Sequence, residues 1–410
     1  MKIGMFCLGD LTEAGGTPIR VTELSEYISD YCDVTIFSEG RLPKEITNKV
    51  MHIPLKKFNL PPYYHLLAAA SPKIINPLNP LISWSPGASQ IISSNYDILH
   101  CNQHVPAFIA LILKNKIDAP ILFDMHGLLK SEMRLYARYS IKHNILYSSY
   151  NKFEKKILQK SNFISTPSEE MSRYIVSEFG IQSEKVFTIP DGVDIELFEN
   201  IELNKVEKIR INLGILDKKV VMYIGAISPL HDTINLIKSF YLVNKKLKEK
   251  KTEIAFVIIT HGSGAMIKKR YTELTHGLNN LIQHPPIPHH DLPLYLKAAD
   301  VLVIPYANNM FTNMVPHLKT FEYMASGTPI VATRTKGNEE ILVHEKNAFL
   351  VEPENPEAMA NGIIKVLEND DLAKEIRKNA KEDIDEKYSW RNSAKKAIET
   401  YETILSRWNK

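Results

Sequence analysis

Apolar and polar positions along this chain alternate in blocks. Short runs rich in β-branched residues are each followed by a longer stretch with helical spacing. Residues 2–8 read as a first strand, and a loop with Gly15-Gly16 leads into a helix from about Pro18 to Asp30. Val34 to Ser38 is the second strand. Tyr96 to Cys101 follows as a strand, then a helix over 105–115, then a strand from Ile121 to Asp124 that ends at Met125-His126-Gly127. Phe163 to Thr166 comes after a long basic helical region, and Val186 to Ile189 leads into Pro190-Asp191-Gly192-Val193-Asp194. A second series then starts afresh. Lys219 to Gly225, Ile254 to Thr260 and Val301 to Pro305 are its strands, with helices at Thr233 to Lys248 and Leu292 to Ala299. Residues 357–381 and about 390–407 are helical. Such alternation predicts parallel sheets covered by helices. The restart near 219, after a polar stretch over 195–218, predicts two domains. The length agrees: 410 residues is too much for one ordinary core and suits two domains of about 200 residues.

The densest chemistry lies at 316–333. Pro316-His317-Leu318-Lys319-Thr320-Phe321-Glu322-Tyr323-Met324-Ala325 reads as a helix, Gly327 as its cap, and Pro329 as the residue that stops it. Ile330 to Thr333 reads as a buried parallel strand. Lys319 and Glu322 lie three apart and share one helix face. A lone carboxylate early in an apolar helix calls for hydroxyl partners, and free N–H groups at a helix start suit a diphosphate. Together they predict a nucleotide grip, with Glu322 on the ribose and the preceding amides on the phosphates. The plainer alternative is a buried helix carrying one solvated carboxylate.

Composition narrows the field. Hydrophobic content of 44% and charged content of 24% are those of a globular protein, and a net charge of +3 gives no argument for nucleic acid. Cys7, Cys32 and Cys101 are far apart and odd in number, which points to a reducing, cytoplasmic setting. Met1-Lys2-Ile3-Gly4-Met5-Phe6-Cys7-Leu8 reads as a strand and not as a signal peptide. No uncharged run is long enough to span a bilayer, so any membrane contact is expected to be peripheral, at the inner face.

The segment from Glu322 through Ala332 (Glu-Tyr-Met-Ala-Ser-Gly-Thr-Pro-Ile-Val-Ala) resembles the signature of the large retaining glycosyltransferase family with the GT-B fold, family 4 type, the glycosyl transferases group 1. Gly15-Gly16-Thr17-Pro18-Ile19-Arg20 looks like that family's N-terminal glycine loop, and Pro190-Asp191-Gly192-Val193-Asp194 like its hinge. The resemblance covers nearly the whole chain. It implies an α/β fold of two Rossmann-like parallel-sheet domains facing a central cleft. Residues 1–195 would form the acceptor domain and 196–387 the nucleotide-sugar domain, with 388–410 a helix crossing back to the first. It further implies hexosyl transfer with retention, from a UDP- or GDP-type sugar to a hydroxyl acceptor (a glycan, a lipid-linked glycan or a small molecule), with the leaving diphosphate helping as base. No metal and no separate cofactor are expected. His126 and Glu322 are the implied catalytic residues. Gly16, Gly225, His231, His317, Leu318, Lys319 and Glu322 would hold the donor, and Gly15, Thr17 and Arg20 the acceptor.

Three positions depart from the family pattern. Ala226 and His231 stand where an Arg and a Lys usually neutralise the diphosphate. Met314 stands where the first Glu of Glu-x7-Glu belongs. Lys319, His231 and backbone amides are the remaining sources of positive potential. These departures favour one rival, a binding protein that kept the fold without turnover; a phosphorylase or an epimerase of the same fold is the other. Elsewhere, Gly262-Ser263-Gly264 resembles the family's Gly-x-Gly-Pro loop. Residues 59–87, rich in Pro, read as an acceptor lid, a membrane contact or a packed insertion. Lys130, Arg134, Tyr136, Arg138, Tyr139, Lys142, Tyr147, Tyr150, Lys152, Lys155 and Lys156 form a basic, aromatic stretch suited either to anionic lipid or to plain solvation. His100, His104, His284, His289 and His290 lack the carboxylate or cysteine spacing of a metal site.

Overall fold

The computed structural model describes residues 1–13, 15–56, 58, 82, 85–129, 131, 141–260 and 265–408. Most of 59–87, the Gly262-Ser263-Gly264 loop, and Lys130, Arg134, Tyr136, Arg138 and Tyr139 lie outside the described residues. The chain forms two compact units, Met1–Gly192 with Trp390–Lys410, and Val193–Ser389.

In the first unit, the described strands are β1 (Lys2–Phe6), β2 (Asp33–Ser38), β3 (Met51–Pro54), β4 (Ile98–Asn102), β5 (Ile121–Asp124), β6 (Phe163–Thr166) and β7 (Val186–Thr188). They run parallel in the order β3-β2-β1-β4-β5-β6-β7. The order reverses between β1 and β4, where successive connections leave to opposite faces. In such sheets ligands bind outside the carboxyl ends of the strands at that point. β4, β5 and β6 are buried along their whole length, which explains their unbroken apolar reading. β3 is not evident in the hydrophobic pattern. It is an edge strand with no buried residue, and Met51 is 63% exposed. The helix Trp390–Trp408 belongs to this unit. Trp390 is buried in it, Tyr401 meets His100, and Arg391 lies over the Tyr27 ring.

In the second unit β8 (Lys219–Ile224), β9 (Ile254–Ile259), β10 (Leu281–His284), β11 (Val301–Ile304), β12 (Ile330–Thr333) and β13 (Phe349–Val351) are parallel in the order β10-β9-β8-β11-β12-β13. Strand periodicity sorts its core into two layers. Val220, Met222, Ala255, Val257 and Ile259 join one cluster, while Val221, Tyr223, Ile254, Phe256 and Ile258 join the other. Helices therefore cover both faces. On one of them Phe240 stacks on Phe256 with ring centroids 4.2 Å apart. The single helix expected over 357–381 is two, Pro356–Glu368 and Asp370–Lys387. The break is at Asn369, whose side chain accepts from Leu372 N and caps the second helix.

Candidate active site

The second unit reverses its strand order between β8 and β11, and its candidate site is built there. Gly225 follows β8 directly, and Tyr306 lies two residues past β11. The helix Leu318–Ala325 is tied to this point by Tyr323, whose hydroxyl accepts from Ile224 N at 2.8 Å and donates to Ile224 O at 3.3 Å. That helix begins without a side-chain cap: His317 occupies the N-cap position and makes no capping bond. Thr320 N bonds His317 O, which leaves the N–H groups of Leu318 and Lys319 open at the helix start. Gly327 closes the other end in the left-handed region, φ 62°, as its position after the helix predicts.

Around this start stands a ring of aromatic and imidazole groups. Lys319 Nζ lies 4.7 Å from the Tyr223 ring centroid and 5.6 Å from that of Tyr306. It donates to Tyr223 Oη at 3.5 Å. His317 packs on Tyr306 at 4.2 Å between centroids, and His231 on Tyr306 at 5.4 Å. His231 Nδ1 is 2.7 Å from Ser228 Oγ. Burial, then the nearby Lys319 and His317, hold His231 well below its ordinary pKa; burial and Lys319 push His317 down to about 3. Both imidazoles are therefore neutral at physiological pH. Burial also lowers Lys319 to about 7, with Glu322 opposing it.

Glu322 is one turn along the same helix. Its carboxylate keeps 14% exposure and Oε1 is 2.9 Å from His289 Nε2. His289 sits in the short turn His289–Asp291 after β10 and is 42% exposed. By sequence alone His289 is a candidate only for a metal site. Nothing in the spacing links it to a glutamate 33 residues on, and only the sheet order brings them together.

The first unit builds its own constellation at the β1/β4 reversal. The helix Gly16–Ile28 starts there with Gly15 at its N-cap. Ile19 N bonds Gly15 O, and Pro18 has no N–H, so the open donors are on Gly16 and Thr17. His126 follows β5. Its Nε2 is 2.8 Å from Asp124 Oδ2 and its Nδ1 is 3.2 Å from Thr17 Oγ1. An ionised carboxylate only accepts, so Nε2 carries the proton and Nδ1 accepts from the Thr17 hydroxyl. That hydroxyl accepts in turn from Gln103 Nε2 at 3.0 Å. Gln103 holds φ 75°, an unusual backbone for a residue with a side chain, at the entrance of the next helix. Three loops thus converge on Thr17, and a sugar hydroxyl reaching His126 Nδ1 must displace it. Gln103 carried no signal in the sequence.

Arg20 requires a correction. It is not placed to meet an acceptor. It is 2% exposed and makes four hydrogen bonds, to both oxygens of Asp124, to Asp191 Oδ1 and to Ile189 O. It faces inward on its helix and joins the β5 end to the segment after β7. Burial alone would raise the Asp124 pKa, but Arg20, His126 and His100 hold it well below the usual carboxylate range. Met314 is 7% exposed and Ala226 is exposed. His100 meets Tyr401 and Asp124, and His104 meets Glu154. Among the described residues no group of three or more His, Cys, Asp or Glu is arranged to hold a metal ion, and no helix is long and apolar enough to cross a membrane.

Comparison with known proteins agrees with this geometry. Residues 205–383 match the glycosyl transferases group 1 family and residues 14–197 match glycosyltransferase family 4. An uncharacterized glycosyltransferase of Methanocaldococcus jannaschii is 28% identical over 76% of this chain and 76% of its own length. Among solved structures, sucrose-phosphate synthase from Thermosynechococcus elongatus superposes with a TM-score of 0.76 at 20% identity, over 99% of each chain. Anabaena HepE in complex with UDP-glucose gives 0.73 at 18% identity, over 98% of this chain and 99% of that one. The two matched families between them take in most of both units, and the chain therefore belongs to the family 4 glycosyltransferases, retaining enzymes of the GT-B fold.

Proposed function

We propose that this protein transfers a hexosyl group from a nucleotide-diphosphate sugar, of UDP or GDP type, to a hydroxyl acceptor with retention of configuration. The second unit takes the donor. Glu322 binds the ribose hydroxyls, and the Leu318 and Lys319 amides with the Lys319 ammonium bind the diphosphate. The first unit takes the acceptor near Gly15, Thr17 and His126. The observation that carries this reading is the partly exposed Glu322 carboxylate one turn after two open helix-start amides, at the strand reversal of the second sheet. UDP-glucose in the complex of the Anabaena relative supports a sugar nucleotide as donor.

The reaction divides charge so that the departing diphosphate gathers negative charge as the anomeric bond breaks. Lys319 and the helix-start amides lie where they can meet that charge. Among the described residues of the second unit's site, His231 and His317 are weak bases, because burial holds their pKa far below the ordinary value, and the Glu322 carboxylate is engaged by His289. This suits a mechanism in which a donor phosphate oxygen takes the acceptor proton. Thermal stabilisation by a panel of nucleotide sugars tests the donor class. Nucleotide release that requires an added acceptor tests transfer. Met314 and Ala226 favour one rival, a sugar-nucleotide-binding protein without turnover, which would bind the donor yet release no nucleotide with any acceptor.

A further inference from the structure

Lys319 is itself the second residue of this helix start, and its surroundings are unusual for a phosphate-binding lysine. Among the described residues no carboxylate pairs with it, and its one polar side-chain contact is the Tyr223 hydroxyl at 3.5 Å. That hydroxyl already donates to Ala226 O at 2.7 Å, so it is a lone-pair partner for one of the three ammonium protons. The faces of Tyr223 and Tyr306 occupy two sides. Gly225 approaches so closely that a β-carbon there would fall 2.2 Å from Nζ. The titratable groups turned toward it are Tyr223 from β8, Tyr306 from beyond β11, His231 from the turn after β8, and His317, Glu322 and Tyr323 from its own segment. The tyrosines are neutral, as are both imidazoles, and Glu322 is engaged by His289.

We propose that docking of the donor's diphosphate at this site is coupled to uptake of one proton by Lys319, so that the chain completes its phosphate-binding charge only when the phosphate arrives. The proposal rests on the donor reading above and deepens it. An ammonium enclosed by aromatic rings loses its hydration, and the ring faces return only part of what it loses. Burial accordingly brings Lys319 down to about 7. A diphosphate at the Leu318 and Lys319 amides sets negative charge beside Nζ and favours the ammonium. Below about pH 7 the amine is already charged, and binding takes up no proton. Above it each bound donor brings in a proton, and affinity falls by up to about tenfold per pH unit. The neutral histidines cannot take this role, since both have been pushed far below the range in which they would be charged.

Calorimetric titration of the full chain with UDP-glucose and with GDP-mannose, in paired buffers of different ionisation enthalpy, reads the protons taken up per donor bound. The diphosphate of either ligand is doubly esterified and keeps its charge throughout, so it adds no proton of its own. Uptake is expected near zero at about pH 6 and to approach one at about pH 8.5, with affinity falling over the same span. In Lys319→Met both the uptake and the pH slope should vanish, and binding should be weak throughout. Tight binding without proton uptake at the higher pH overturns the proposal and leaves the donor reading standing. Uptake that persists in Lys319→Met also overturns it, because the proton then goes elsewhere. Binding of neither ligand overturns the donor reading and the proposal together.

Discussion

Gly225 and Lys319 are spatially complementary: a β-carbon added to the glycine would lie 2.2 Å from the lysine Nζ and 2.8 Å from the Tyr223 hydroxyl. The lysine end is flexible and can retreat, so Gly225→Ala should fold. The cation would then be displaced from the two open amides. Donor affinity measured by calorimetry should fall roughly tenfold to a hundredfold, the usual worth of a charged hydrogen bond, and the melting temperature should fall as well, because Gly225 holds φ 156°, where an alanine is strained.

Glu322→Gln keeps the shape of the side chain and removes its charge. It should weaken sugar-nucleotide binding by about 1.5–3 kcal/mol, and Glu322→Ala at least as much, because ribose hydroxyls lose a charged acceptor. His289→Ala leaves the carboxylate in place and frees its rotamer. Its effect should be smaller, about a few-fold in dissociation constant, since His289 is well exposed and the pair is partly solvated. Equal affinities for all variants and the parent would remove Glu322 from the ribose.

Arg20 and Asp124 are internal partners, so Arg20→Met should act on stability. Removing one member of a buried pair leaves the other uncompensated, a loss of about 3–5 kcal/mol. Urea unfolding should show it as a lower midpoint. The pH dependence has a definite sign. The Asp124 pKa is lower in the folded protein than in the unfolded chain, so its contribution is present above the ordinary carboxylate range. It is lost as pH falls below that range toward the folded value. Acid unfolding of Arg20→Met should accordingly begin at higher pH than that of the parent.

Gly337 lies under the segment that leads into the Leu318 helix. A β-carbon there would sit 2.5 Å from Thr312 O and 2.6 Å from Val315 O. Both are backbone atoms and cannot swing away. Gly337→Ala should cost about 1–3 kcal/mol by overpacking and shift residues 312–317. Differential scanning should record a lower melting temperature, and donor titration a weaker affinity.

Much of this was legible in the chain. The strands at Ile121–Asp124, Phe163–Thr166 and Ile330–Thr333 stood in the pattern because both their faces are buried and every position but Asp124 is apolar or small. Glu322, Lys319 and the glycine cap were legible because a helix start is a local event, set by residues within one turn of each other. β3 and β10 were not, because an edge strand half in water needs no apolar run.

By itself the sequence determined the two parallel-sheet domains, the helix start that carries Glu322 and Lys319, and the family whose motif surrounds them. Periodicity and caps are properties of neighbours along the chain, and they survive being read one residue at a time. Only the tertiary structure decided that Arg20 is an internal tie, that Gln103 and Thr17 hold His126, that His289 meets Glu322, and that Lys319 stands among aromatic rings. Each of these depends on the order in which strands lie side by side. Burial and the charges that burial brings close then set what a side chain can do, and no spacing along the chain records either.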